Sequence, residues 1–350
     1  MAKILMKGNE AVAEAAIAAR CNYFFGYPIT PQNELPEYMA RRLNQVGGAF
    51  VQAESEVAAI NMVYGAASAG VRVMTSSSSP GVSLKQEGVS YLVGSELPCV
   101  IVNMMRGGPG LGSIQPAQGD YFQSVKGGGH GDYRMITLAP ATIQEMVDLT
   151  ITAFELADQY RNPVLLLGDG MLGQMMEPVV IPEVIGELPA KQWATIGTRG
   201  ERKPSIINSL FIEADACEEH NIKLQAKFAS MVKEVRYAID FEDAPFFVVA
   251  YGTTARIART AIDQLRQEGI EVGLIRPISL FPFPQEAFDK VMDHAKGFLC
   301  VEMSAGQMVE DVRLAVNGKK PVEFFGRMGG AVPTPQQVKE EILKLVKGGN

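Results

Sequence analysis

The sequence predicts an α/β chain of two units, a parallel sheet flanked by helices followed by a second, smaller α/β domain. Over residues 1–170 short strand-like runs alternate with segments of helical period. Over 171–243 that pattern loosens into a Pro- and charge-rich connector with one helix, and from 244 to 350 the alternation resumes. The chain has 350 residues, 47% of them hydrophobic, which suits about two domains at a prior of ~150 residues each.

In the first unit the strand runs are Tyr23–Phe25, Ala49–Gln52, Val71–Thr75, Pro98–Met104, Met135–Leu138 and Pro163–Leu167. Between two of them, Val57–Ala69 is apolar nearly all round, interrupted only by Asn61, Tyr64 and Ser68. Such a helix is expected to be buried, between the sheet and another subunit. The connector holds Pro178, Pro182, Pro189 and Pro204 and a helix near Glu213–Tyr237. The second unit reads as strand Phe246–Tyr251, helix Thr253–Glu268, strand Val272–Ile275, helix Gln285–His294 and strands Phe298–Val301 and Val322–Phe325.

Composition excludes several classes. With 32 basic against 39 acidic residues the formal charge is −7, and such a chain repels the phosphates that supply most nucleic-acid affinity. No apolar run approaches the ~18 residues of a membrane span. Ile4-Leu5-Met6 between Lys3 and Lys7 is too short for a secretory core, so a cytoplasmic location is expected. Cys21, Cys99, Cys217 and Cys300 are dispersed, without C-x-x-C or a nearby histidine, and read as buried thiols rather than ligands of zinc or an iron–sulfur cluster. His130, His220 and His294 lie far apart and accompany no nucleophile elbow, which argues against a Ser-His-Asp hydrolase.

Several loops could carry chemistry, each beside a plainer reading. Tyr27-Pro28-Ile29-Thr30-Pro31 follows a strand; it is either a rigid turn with Thr30 capping a helix that starts at Pro31, or a ligand loop at a strand's carboxyl end. Glu54 and Glu56 open the apolar helix. They suit the positive helix end, while Glu56, which shares a face with Ala59, Ile60 and Val63, could instead be a buried acid that shares a proton with a ring nitrogen. Thr75–Gly81 is a hydroxyl-rich turn. Arg106 ends a strand before a glycine-dense loop; it suits either a surface ion pair or the bidentate grip of a substrate carboxylate. Gly107–Gly112 does not satisfy G-x-G-x-x-G, because the third glycine comes one residue early. Gly168-Asp169-Gly170 imitates the start of the magnesium–diphosphate motif of thiamine enzymes, but Trp193–Lys203 contains no asparagine to complete it.

Taken together, Tyr27–Pro31, Ser55-Glu56-Val57-Ala58-Ala59, Thr75–Gly81 and Arg106 resemble the α subunit of thiamine-diphosphate-dependent 2-oxoacid:ferredoxin oxidoreductases. Tyr251-Gly252-Thr253-Thr254-Ala255, Leu274–Pro277 and Val301-Glu302 resemble the transketolase C-terminal domain that follows the pyrimidine-binding domain in these enzymes. The resemblance implies a pyrimidine-binding domain at 1–170, a connector at 171–243 and a transketolase C-terminal-like domain at 244–350. It further implies oxidative decarboxylation of a 2-oxoacid to acyl-CoA, with coenzyme A as co-substrate and ferredoxin as acceptor. The activity would need a β subunit bearing the diphosphate grip, magnesium and a 4Fe–4S cluster, and γ and ferredoxin-like subunits besides. No metal site is implied in this chain.

By the same similarity Glu56 would hydrogen-bond N1′ of the pyrimidine, Thr30 would offer its hydroxyl to the substrate and Arg106 would hold the substrate carboxylate. Tyr27, Pro28 and Ile29 would shape the loop against the ring. The compact chain resembles the branched-chain (3-methyl-2-oxobutanoate) and 2-oxoglutarate types, the former favoured. A 2-oxoglutarate enzyme would need a second cation, for which Arg134, Lys126 or a partner residue are the candidates. A non-catalytic scaffold or effector-binding paralogue, or a non-redox thiamine-dependent decarboxylase subunit, are the alternatives.

Overall fold

The computed structural model describes residues 3–183 and 188–348. The first unit is built on a seven-stranded sheet in the spatial order Ser279–Phe281, Ile136–Leu138, Val164–Asp169, Val100–Met105, Val73–Ser77, Tyr23–Gly26, Ala49–Gln52. Six of these strands run parallel. The central ones, Val100–Met105 and Val164–Asp169, are buried at every residue, because helices cover both faces and leave no polar side for alternation. The apolar runs of the sequence therefore become the middle of the sheet.

The seventh strand, Ser279–Phe281, is antiparallel to Ile136–Leu138 and comes from the second unit. That unit's own five-stranded sheet has the order Val322–Gly326, Gly297–Glu302, Phe246–Val249, Gly273–Pro277, Tyr237–Asp240. Only Tyr237–Asp240 is antiparallel there. A helix reaching Tyr237 is thus incorrect. The helix spans Ala214–Ser230, and the backbone then straightens, because residues 237–240 pair with 274–277. Met176–Val179, inside the expected connector, pairs antiparallel with Ile4–Lys7 near the start of the chain.

Helix Ile143–Tyr160 illustrates how sequence sets both an element and its place. Thr142 Oγ1 accepts from Glu145 N at 3.1 Å while Glu145 Oε2 accepts from Ala141 N at 2.8 Å, so the two side chains satisfy amides at the helix start. Arg276 of the second unit grips the same Glu145 with two bonds of 2.8 and 2.7 Å. Gln118 ties the units again, donating to the Tyr251 carbonyl at 2.9 Å and accepting from Met303 N at 3.0 Å.

Two motifs, one from each unit, prove structural in this way. Glu302 is fully buried at the start of helix Met308–Val316, where its carboxylate accepts from the amides of Gln307, Met308 and Val309 and from Ser304 Oγ. Asp169 caps helix Gly170–Gln174 through Met171 N and Leu172 N and accepts from Thr253 Oγ1 at 2.9 Å. The Gly168-Asp169-Gly170 segment therefore joins the two units.

Candidate active site

Strand Tyr23–Gly26 is flanked by Ala49–Gln52 on one side and Val73–Ser77 on the other, and the chain leaves it and Val73–Ser77 in opposite directions. Such a reversal opens a crevice at the carboxyl ends of the strands. The candidate residues lie on the loops that leave this edge or, for Glu56, at the first position of the helix that follows.

Ser55 caps helix Glu56–Ser68, its Oγ accepting from Ala58 N at 3.1 Å, and this places Glu56 as the first helical residue. Glu56 is only 6% exposed. Its carboxyl is pressed against the first turn of the next helix, Pro80–Gly94: a Cβ on Gly81 would lie 2.6 Å from Glu56 Oε1 and against Ser77 Oγ. Glycine is needed there for space. Within this chain the helix buries one face and leaves the other open. Ala59, Ile60, Val63 and Ala67 face inward, but Val57 is 46% exposed and Asn61 and Gly65 lie on the same open side.

Arg106 is buried and forms no surface ion pair among the described residues. Its Nη1 donates to the Thr30 carbonyl at 3.0 Å and its Nη2 to the Leu111 carbonyl at 3.2 Å. Two loops far apart in sequence are thereby pinned by one guanidinium, and Nε is buried with no protein partner. Thr30 is exposed at the crevice; Tyr27 and Pro28 are exposed beside it and Ile29 is half-buried. The expectation that Pro31 starts a helix capped by Thr30 is incorrect, since the helix spans Glu34–Leu43. The Pro31 carbonyl is taken instead by Asn9 Nδ2 at 2.9 Å and Gln174 Nε2 at 3.1 Å, which hold the segment as a turn.

The hydroxyl-rich turn links the two ends of this arrangement. Ser76 Oγ donates to Gln32 Oε1 at 2.5 Å. Ser79 sits at φ 25°, in the region disfavoured for residues with a side chain. Its amide donates to Asn103 Oδ1 at 3.1 Å, its Oγ donates to Asp120 Oδ2 at 2.6 Å, and the Oγ accepts from Arg106 N at 3.0 Å. Burial raises the Asp120 carboxyl above its usual range, against the bonds from Ser79 and Asn103 that lower it. Gln32, Asn103 and Asp120 were not singled out in the sequence, because their importance comes only from these long-range bonds.

Four buried polar atoms around the turn have no partner among the described residues: Gln32 Nε2, Ser77 Oγ, Ser78 Oγ and Arg106 Nε. Each such group costs on the order of 1–3 kcal/mol when left unpaired, so their concentration at one crevice marks a place built for a ligand. A cleft of about 670 Å³ adjoins it, opening between the units beside Ser79, Gly107–Leu111, Asp120, Met303 and Met328. Among the described residues no lysine, arginine or histidine lines it. Lys126 is paired with Asp311, and Arg134 borders a separate hollow with Glu218, so neither reaches this cleft. Among the described residues no group of three or more His, Cys, Asp and Glu could hold a metal ion, and no helix is long and apolar enough to cross a membrane.

Comparison with known proteins gives the family. The family model described as pyruvate flavodoxin/ferredoxin oxidoreductase, thiamine diphosphate-binding, matches residues 14–240, and that of the pyruvate:ferredoxin oxidoreductase core domain II matches 244–338. The ketoisovalerate oxidoreductase subunit VorB of Methanothermobacter thermautotrophicus is 53% identical over 348 residues, covering 99% of this chain and 98% of its own. A 2-oxoglutarate:ferredoxin oxidoreductase from Magnetococcus marinus, with 2-oxoglutarate, coenzyme A and succinyl-CoA bound, superposes with a TM-score of 0.87 at 27% identity. It covers 98% of this chain, which spans 65% of that longer one. A split-gene transketolase shares the fold, with a TM-score of 0.61 at 13% identity over 98% of this chain and 97% of its own. A pyrimidine-binding domain followed by a transketolase C-terminal-like domain is thus the architecture, and the chain belongs to the family of thiamine-diphosphate-binding 2-oxoacid:ferredoxin oxidoreductases.

Proposed function

We propose that this chain supplies the pyrimidine-binding half of a thiamine diphosphate site and, with partner subunits, oxidises a branched-chain 2-oxoacid such as 3-methyl-2-oxobutanoate to its acyl-CoA. The unpaired polar atoms at the strand ends and the glycine-made recess beside Glu56 suit a planar, hydrogen-bonding ring. When bound, the cofactor supplies a thiazolium carbon that adds to the 2-oxo group and holds the electron pair left as carbon dioxide departs. Glu56, its carboxyl shielded from bulk water, is the group we assign to exchange a proton with N1′ of the ring. Arg106, its Nη1 and Nη2 fixed by two backbone carbonyls and its Nε without a protein partner among the described residues, is the cation we assign to the substrate carboxylate. Thr30 offers its hydroxyl from the exposed loop, and Tyr27, Pro28 and Ile29 border the ring where a partner chain closes over them.

The partner we assign is a β subunit carrying the diphosphate grip, magnesium and a 4Fe–4S cluster, with γ and ferredoxin-like subunits, ferredoxin as acceptor and coenzyme A as acyl acceptor. The complex acts in the cytoplasm. The names of the relatives support both the division among subunits and the branched-chain substrate.

The observation that carries the substrate class is the cation-free cleft beside Arg106, whose apolar lining includes Pro80, Leu111, Ala117, Met303 and Met328. A second carboxylate there would meet Asp120 and no counterion, at a cost of about 2–4 kcal/mol. The test is a substrate comparison on the assembled complex with ferredoxin or a viologen dye. The expected result is a kcat/KM for 3-methyl-2-oxobutanoate at least ~100-fold above that for 2-oxoglutarate. Preference for 2-oxoglutarate would overturn the assignment.

A further inference from the structure

Helix Pro80–Gly94 packs on helix Glu56–Ser68 through a face made of Gly81, Lys85 and Gly88, at offsets of four and seven. Both glycines are there for closeness: a Cβ on Gly81 would meet the Glu56 carboxyl, and one on Gly88 would lie 2.5 Å from Ile60 Cγ2. Between them on the same helix face stands a lysine with no exposure at all. Lys85 Nζ donates to Thr75 Oγ1 at 2.8 Å and to the Ser76 carbonyl at 2.9 Å.

Helical side chains lean toward the helix N-terminus, so Lys85 runs back toward Gly81, the turn against which Glu56 presses. An ammonium has three donors, and two are accounted for by neutral acceptors. Burying an amine there is costly, whereas an apolar side chain would make the helix contact without that penalty. The expense is explained if the charge serves the acid one helical turn away.

We propose that Lys85 is a positioning residue that provides the buried countercharge for the Glu56 carboxylate and fixes the strand end at Ser76 from which the site's hydroxyl turn departs. The role rests on the reading of Glu56 as the acid of the site. Burial pushes the Lys85 amine down to about 7, while Glu56 from the facing helix and Cys99 at the base of strand Val100–Met105 pull it upward. The ammonium is thus poised to respond when Glu56 gains or loses its proton.

The experiment follows lysine side-chain resonances of the full chain, labelled with carbon-13 at Cε, across a pH titration. One lysine should titrate near neutrality and be missing in Lys85→Met. In Glu56→Gln its midpoint should fall by about one unit, a tenfold weaker hold on the proton. Lys227, pushed down to about 8 by burial and faced by Glu96, is the internal control and should not move. In the holoenzyme, Lys85→Met should move the acid limb of kcat/KM upward by a similar amount. An unmoved Lys85 midpoint in Glu56→Gln overturns the role, and that comparison stands even if Lys85→Met does not fold. Full turnover by Glu56→Gln would sink the proposed function itself, whereas lost turnover with an unmoved midpoint sinks only the part assigned to Lys85.

Discussion

Substituting Gly81 by alanine separates the chemistry of the site from the stability of the fold. The added Cβ would lie 2.1 Å from Ser77 Oγ, 2.6 Å from Glu56 Oε1 and 3.2 Å from its Cδ, and ordinary contact starts at 3.4 Å, so the Glu56 carboxyl must retreat by about 0.8 Å and the Ser77 hydroxyl must swing aside. A misplacement of about 1 Å at reacting groups costs up to ~100-fold. Turnover should therefore fall about 30- to 100-fold, or about 2–3 kcal/mol in the barrier. Stability should change less, because overpacking costs about 1–3 kcal/mol while alanine gains up to about 1 kcal/mol over glycine within a helix. Gly65, on the exposed side of helix Glu56–Ser68, has nothing within 4 Å of a built Cβ and makes the matched control. Gly65→Ala should leave turnover in place and raise stability by up to about 1 kcal/mol. The assay is 2-oxoacid-dependent dye reduction by the reconstituted complex, with urea unfolding of the same preparations. Undiminished turnover in Gly81→Ala would refute the placement of the Glu56 carboxyl against that turn.

Two further outcomes follow from the same geometry. Glu302→Gln removes acceptor capacity facing three buried amides and a hydroxyl, and should lower the unfolding free energy by about 3 kcal/mol or more, read as a fall in the urea midpoint; an unchanged midpoint contradicts its role as the helix cap. Burial pushes the Cys21 thiol up to about 12 and raises those of Cys99 and Cys300, while Cys217 is half-exposed. A thiol reagent should accordingly modify one cysteine quickly in the native chain and the other three only on unfolding; two or more fast thiols would show a core more open than described.

The parts of the fold that could be read in advance are those whose sequence signal is local. Val100–Met105, interrupted only by Asn103, and Val164–Leu167 announce themselves as apolar runs because both faces of a parallel strand are covered. Ile4–Lys7 escapes notice because Ile4 is 53% and Leu5 61% exposed on an edge pair whose partner lies about half a chain away. Ser279–Phe281 escapes for a different reason. Three residues carry too little periodicity to be assigned, and the sheet they join belongs to the other unit.

The site divides in the same way. Glu56 is legible because a helix start, an apolar stripe and a carboxylate coincide in sequence, and Arg106 because it closes a strand ahead of glycines. The plainer reading of Arg106 as a surface ion pair fails because its guanidinium is spent on two carbonyls that only folding brings together. Lys85 left one sign that could have been followed, a single cation on the helix face marked out by Gly81 and Gly88. Asp120 left none, since its bonds to Ser79 and Asn103 depend on a loop closing over the strand ends.

Glu56→Gln in the assembled complex tests the central claim most directly. The substitution keeps the side chain's size and removes its ability to exchange a proton. The complex should assemble and unfold as the wild type does, while 2-oxoacid-dependent dye reduction falls by at least ~100-fold. Turnover within a few fold of wild type would show that the buried acid at the start of helix Glu56–Ser68 does not carry the chemistry.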